Sequence, residues 1–147
     1  MVIAIGSDHG GYECKEQVVS FLNSKGYKVI DVGTFSKDSC NYPDYAFKVA
    51  NNVASGVADK GILICTSGEG VTIAANKVKG IRCGIGYNDD VSHLIVEHNH
   101  ANIIAFGAAF MELKDITRRI EIFLNAKEEG GRHDIRVKLI TDFEQNQ

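Results

Sequence analysis

Three short runs of uninterrupted apolar or glycine residues constrain this chain more than any other feature: Val2–Gly6 (VIAIG), Gly61–Cys65 (GILIC) and Ile103–Phe106 (IIAF). A strand with one wet face alternates apolar and polar side chains, so a run with no polar residue is covered on both faces. Each run is too short for a buried helix, and each is followed by a longer stretch with helical spacing. Tyr27–Val32 and Ile81–Ile85 are weaker runs of the same kind. Five strands separated by helices imply a parallel sheet with helices on both sides. The expected fold is therefore α/β, a three-layer α/β/α Rossmann-like domain with a five-stranded parallel sheet, residues 1–147 forming one domain.

Helices are expected over Gly11–Ser24, where Cys14, Val18, Phe21 and Leu22 share a face and Gly26 closes the end. Others run from Pro43 toward Ala54, over Val71–Val78, from an Asn88 cap to Glu97, over Glu112–Ala126 and over Arg132–Glu144. Leu113, Ile116, Ile120, Phe123 and Leu124 form the clearest amphipathic stripe. Gly33–Asn41 reads as a loop.

Composition removes several function classes. With 44% apolar and 24% charged residues the chain is not disordered. A net charge of -3 disfavours nucleic acid and anionic membranes as partners, though not a local pocket for a small anion. No apolar run reaches the roughly 18 residues of a membrane span. The start, MVIAIGSDHGG, lacks the basic region and cleavage site of a secretory leader, so a cytoplasmic protein is expected. The four cysteines show no CxxC and no zinc spacing, which suits reduced thiols.

Ligands of such sheets sit beyond the carboxyl ends of the strands. The strongest segment there is Cys65-Thr66-Ser67-Gly68-Glu69-Gly70, a strand end, a glycine turn and a helix start. Backbone N–H groups at such a start attract anions and can hold a cysteine as thiolate, and Ser67 adds a hydroxyl. The same residues also suit a structural turn with an inert buried cysteine. Gly68-Glu69-Gly70 runs into Val71, Thr72 and Ile73, so a dinucleotide loop lacks its third glycine, and no Gly-Lys-Ser/Thr follows for a P-loop. Asp8 and His9 close the first strand, either to orient a sugar or simply as a cap on the first helix. His98-Asn99-His100 ends a helix; a single acid/base histidine is expected there rather than a metal site, because no carboxylate cluster follows. Arg132 and Arg136 lie four apart, so on a helix they either clamp one phosphate or line a solvated face.

In chain order, SDHGG at 7–11, NYPDYA at 41–46, GILICTSGEGVTIAANKVKGIR at 61–82, EHNHANIIAFG at 97–107 and EGGRHDIRV at 129–137 carry a resemblance. Together they resemble the type B ribose-5-phosphate isomerases, within the family that also holds the galactose 6-phosphate and allose 6-phosphate isomerases. The resemblance implies an aldose–ketose isomerase without metal or other cofactor. It implies Cys65 as the base between C1 and C2, His98 as the ring-opening residue with Asp8 assisting, and Ser67 with Gly68–Gly70 holding the enediolate. It further implies His9, Arg132 and Arg136 as phosphate contacts, and Tyr42 and Asn99 as sugar contacts. Departures are Val71 where one branch has a glutamate base, Ser67 for a common threonine, and Ala109 near a phosphate-binding arginine of some relatives. Glu69 is unusual for a phosphate-friendly loop and bears on sugar preference, which leaves a hexose phosphate as the alternative substrate. The family shares each site between subunits. A homodimer, or a dimer of dimers, is expected, with His98, Asn99 or the arginines of one chain completing the Cys65 site of its neighbour.

Overall fold

The computed structural model describes residues 1–147. Five parallel strands, β1 (Val2–Ser7), β2 (Lys28–Asp31), β3 (Lys60–Cys65), β4 (Cys83–Ile85) and β5 (Ile103–Gly107), form one sheet in the order β2-β1-β3-β5-β4. The helices are α1 (Tyr12–Ser24), α2 (Tyr42–Ala54), α3 (Glu69–Ala75), α4 (Asp89–Glu97), α5 (Leu113–Asn125) and α6 (Arg132–Gln145). The α/β class, the five parallel strands and the helical layers on both faces agree with the sequence reading. No helix is long and apolar enough to cross a membrane.

Side chains alternate across a strand, and here the two faces differ in bulk. Ile3, Ile5, Ile62, Ile64, Ile104 and Phe106 face α1, α4 and α5, meeting Val18, Leu22, Val96, Ile116, Ile120 and Phe123. The opposite face carries Ala4, Leu63, Cys65, Ile103 and Ala105 against Ala46, Val49 and Ala50 of α2 and Val71, Ala74 and Ala75 of α3. Small residues on this second face let α2 and α3 approach the sheet closely. Cys65 lies on that face, at its carboxyl end.

Element ends move where side chains compete for the backbone. Asp8 caps a single 3₁₀ turn, His9–Gly11, so α1 starts at Tyr12 rather than Gly11. The fourth strand is shorter than its apolar run, because the Asn102 Oδ1 takes the Arg82 N–H (2.9 Å). α3 stops at Ala75, where Asn76 turns to bracket Cys83, accepting from its N–H (2.8 Å) and donating to its carbonyl (2.9 Å). Asn88 caps α4 by accepting the Val91 N–H (2.8 Å), and Pro43 sits in the first turn of α2, both as expected.

One buried charge anchors the loop beyond β2. The Lys15 ammonium, fully buried, meets both Asp31 oxygens (2.7 and 2.9 Å), and Asp31 also accepts the Gly33 N–H (3.0 Å). Gly33 in turn accepts from Ser7 N–H and Thr34 donates to Ser7 C=O (2.8 Å each), tying this loop to the tip of β1.

α6 stands outside the layers. Its only buried residue is His133, while Ile135, Leu139, Ile140 and Phe143 are 50–69% exposed. Residues 135, 139 and 143 recur every four positions, so they form one apolar stripe along the helix.

Candidate active site

Cys65 ends β3, and its Sγ accepts the Gly68 N–H at 3.1 Å. Gly68 has φ 85, a left-handed conformation in which a side chain is strained. That turn brings the backbone back over the strand end. The Ser67 Oγ accepts the Glu69 N–H (3.2 Å), so its own hydroxyl proton remains free to donate. The Tyr42 ring closes over Gly70, with ring carbons 2.8–3.0 Å from where a Cβ would stand.

Gly107, at the end of the neighbouring strand β5, supports this loop from below. A Cβ there would lie 2.4 Å from the Ser67 carbonyl oxygen. Gly107→Ala must push the Cys65–Gly70 turn away, and overpacking of this kind costs about 1–3 kcal/mol. Chemical denaturation is expected to show that loss, with a matching fall in activity.

At the tip of β1, Asp8 is nearly buried and its Oδ1 accepts the Gly11 N–H (3.2 Å), leaving Oδ2 free. The capping role is therefore real, and it still offers one oxygen to a ligand. The His9 Nδ1 accepts the Cys40 N–H (3.2 Å), which places the proton of the neutral ring on Nε2. His9 thus presents a donor, the group that an anion needs.

The remaining residues singled out from the sequence form a second group elsewhere. His98 and Asn99 directly precede β5, at the amino edge of the sheet, whereas Cys65 pairs with Gly107 at the carboxyl edge. Four steps of strand at about 3.3 Å separate the edges by roughly 13 Å. The His98 ring stacks on His133 with centroids 4.2 Å apart and planes 8° from parallel. Arg132 and Arg136, both exposed, start the same helix as His133. No hydrogen bond or ion pair joins this group to Cys65, Tyr42, Asp8 or His9.

Neighbours that spacing did not reveal hold the second group. The Arg82 Nε donates to the carbonyls of Asn99 (3.1 Å) and His100 (3.0 Å), fixing the turn after α4. His100 adopts φ 50 and turns inward, where its Nε2 meets the Glu129 carbonyl (3.0 Å). His98 and His100 therefore take separate partners, the His133 ring and the Glu129 carbonyl, instead of forming a pair. Burial, and then the charges of His98 and Arg132, hold the His133 pKa below the ordinary histidine range.

The other cysteines have different surroundings. Burial pushes the Cys14 thiol up to about 11 and Cys83 up to about 12, where neither ionises near neutrality. Cys65 alone has its sulfur under the glycine turn.

A family model described as Ribose/Galactose Isomerase matches residues 3–140. The chain belongs to the ribose/galactose isomerase family. Ribose-5-phosphate isomerase B of Escherichia coli is 43% identical over 97% of this chain and 96% of that protein. A putative sugar phosphate isomerase of Bacillus subtilis is 41% identical over 99% and 98%. The solved ribose-5-phosphate isomerase B of Clostridium thermocellum superposes with a TM-score of 0.98 at 45% identity, covering 99% of each chain. That of Mycoplasma genitalium, solved with bound ribulose-5-phosphate, gives 0.96 at 36% identity over 99% of this chain and 97% of that one. Matches of this length span both groups of residues, so the family relationship embraces the whole of the candidate site.

Proposed function

We propose that the protein interconverts D-ribose 5-phosphate and D-ribulose 5-phosphate, with each site built from two copies of the chain. The observation that carries this reading is the Cys65 sulfur beneath the Gly68 N–H, beside the free Ser67 hydroxyl. Proton transfer next to a carbonyl needs a base within reach and donors aimed at the developing oxyanion. The Cys65 thiolate takes the C2 proton of the open-chain aldose, electrons move onto the carbonyl oxygen, and a cis-enediolate forms. The Ser67 hydroxyl and the Gly70 N–H hold its oxygens, and the N–H groups of Gly68 and Glu69 join them by turning from the Cys65 Sγ and the Ser67 Oγ to the developing charge. A proton then passes from O2 to O1 as the base returns its own to C1, which gives the ketose; no electron leaves the substrate, so the step calls for no redox cofactor.

His98 moves a proton between the anomeric hydroxyl and the ring oxygen, opening the furanose, with Asp8 assisting. His9, Arg132 and Arg136 take the phosphate, and Tyr42 and Asn99 the sugar hydroxyls. The two groups lie at opposite edges of one sheet, so His98 reaches a Cys65 only on another copy. The α6 stripe of Ile135, Leu139 and Phe143 supplies an apolar face for that copy, and a two-fold pair buries the same surface on both partners. The homologue bound to ribulose-5-phosphate supports the five-carbon substrate.

A second reading is a hexose phosphate, allose 6-phosphate or galactose 6-phosphate. A cavity of about 330 Å³ bordered by Gly10, Glu13, Gln17 and Ala109 leaves space beside the β1 tip for a longer chain. Steady-state kinetics on ribose, allose and galactose phosphates separate the readings. The expected result is a kcat/KM for ribose 5-phosphate at least about tenfold above either hexose, a difference of about 1.4 kcal/mol in transition-state binding. A hexose preference of that size would overturn the pentose assignment.

A further inference from the structure

His98, Glu129 and His133 each offer one ligand atom, and the three atoms lie within 4.8 Å of one another. Two imidazoles and a carboxylate are the donor set of an open zinc site, with a fourth position left for water or another ligand. A second observation points the same way. His133 is 3% exposed, and its Nε2 is buried with no hydrogen-bond partner. Buried polar nitrogens are almost always satisfied, so an orphan lone pair or N–H beside two other ligating groups has a use to be explained.

We propose that these three residues form a binding site for a divalent transition ion of the zinc class, and that its occupancy inhibits the enzyme by withdrawing His98. The sequence argued against metal here because no carboxylate follows His98 and His100 locally. The fold supplies one from 31 residues further along the chain: the Glu129 N–H donates to the Glu97 carbonyl (2.9 Å), which brings residue 129 back to the end of α4. His133 then enters from the start of α6.

The near-parallel rings place their nitrogens side by side rather than aimed at one point. Zinc–ligand bonds of about 2.0–2.2 Å set tetrahedral ligands roughly 3.3–3.5 Å apart, so the three atoms must close by about 1.5 Å at most. His133 is locked by burial, whereas the His98 side chain is 36% exposed and Glu129 is exposed, so those two can swing toward it. Capture of the ion therefore breaks the imidazole stack and occupies the His98 nitrogen that ring opening uses to move a proton. The inhibitory half of this proposal rests on the role given to His98 above; the binding half does not.

Calorimetric titration of the full-length protein with zinc chloride in phosphate-free buffer tests the binding half. One ion per chain is expected, with Glu129→Gln and His133→Asn each weakening binding by about tenfold or more, as loss of metal-shell partners does. His93, which pairs with Glu97 one turn earlier, is the control, and His93→Asn should leave the affinity unchanged. Unchanged affinity in Glu129→Gln or His133→Asn, with folding verified by circular dichroism, would overturn the site. For the inhibitory half, zinc should lower turnover of ribose 5-phosphate by wild type, chelator should restore it, and Glu129→Gln should resist. Stoichiometric binding with undiminished turnover would overturn inhibition while leaving the site. If ribose 5-phosphate is not turned over at all, the functional reading fails, and the calorimetry still decides the site.

Discussion

Cys65→Ala is expected to lower kcat for ribose 5-phosphate isomerisation by about 10²- to 10⁴-fold, the range that a positioned acid–base group contributes. KM should change little, because the sulfur acts on a carbon-bound proton while the phosphate and hydroxyls are held by other residues. The substitution removes one atom, whose only hydrogen-bond partner is the Gly68 N–H, and alanine keeps the β-carbon packed against α2 and α3, so the variant should fold. Exchange of the C2 proton with solvent should vanish in parallel, and the unchanged KM separates a lost base from lost substrate binding. Cys14→Ala and Cys83→Ser, changing thiols whose pKa values burial raises to about 11 and 12, should leave the rate near wild type. A Cys65→Ala enzyme as fast as wild type would remove the assigned base.

The second large effect is a recovery. Cys65→Ala and His98→Ala chains should each be nearly inactive alone. Unfolded together in equal amounts and refolded, they should regain about one quarter of wild-type activity, since random pairing makes half the dimers mixed and each mixed dimer holds one complete site. The proposal of shared sites predicts this outcome: His98 precedes β5 at its amino edge, whereas Cys65 ends β3 at the carboxyl edge of the sheet. Mixed dimers shown to exist by differential tagging, yet with no gain in rate, would exclude sharing.

Much of this was legible in the residues themselves. VIAIG, GILIC and IIAF can only be strands covered on both sides, and their order with the intervening helices yields the parallel sheet. The Cys65–Gly70 turn was legible because only a strand end followed by glycines and a helix brings backbone donors back over a side chain. The resemblance implies shared sites, but the place of His98 at the sheet edge opposite Cys65 came only with the structure. Less visible were effects that depend on side chains meeting across long separations. Asn102 and Asn76 reshape the ends of β4 and α3 through hydrogen bonds to Arg82 and Cys83, and apolar patterning carries no trace of such bonds. His133 and Glu129 reach His98 only through the chain reversal before α6. The apolar stripe of α6 was visible as an amphipathic segment, but the sequence alone does not tell whether such a stripe is covered by its own chain.

The unequal bulk of the two sheet faces bears on how this enzyme can change over time. On the isoleucine side an altered side chain disturbs α1, α4 or α5, and the cell experiences it as a shortage of folded protein. On the alanine side the helices are α2 and α3, whose first residues include Tyr42 and the end of the Cys65 loop. A single added methyl there displaces reacting groups before it unfolds anything, because close-packed interiors transmit such strain rather than absorb it. Drift in substrate preference is thus expected to enter through the alanine side and drift in heat tolerance through the isoleucine side, so selection can act on the two almost independently.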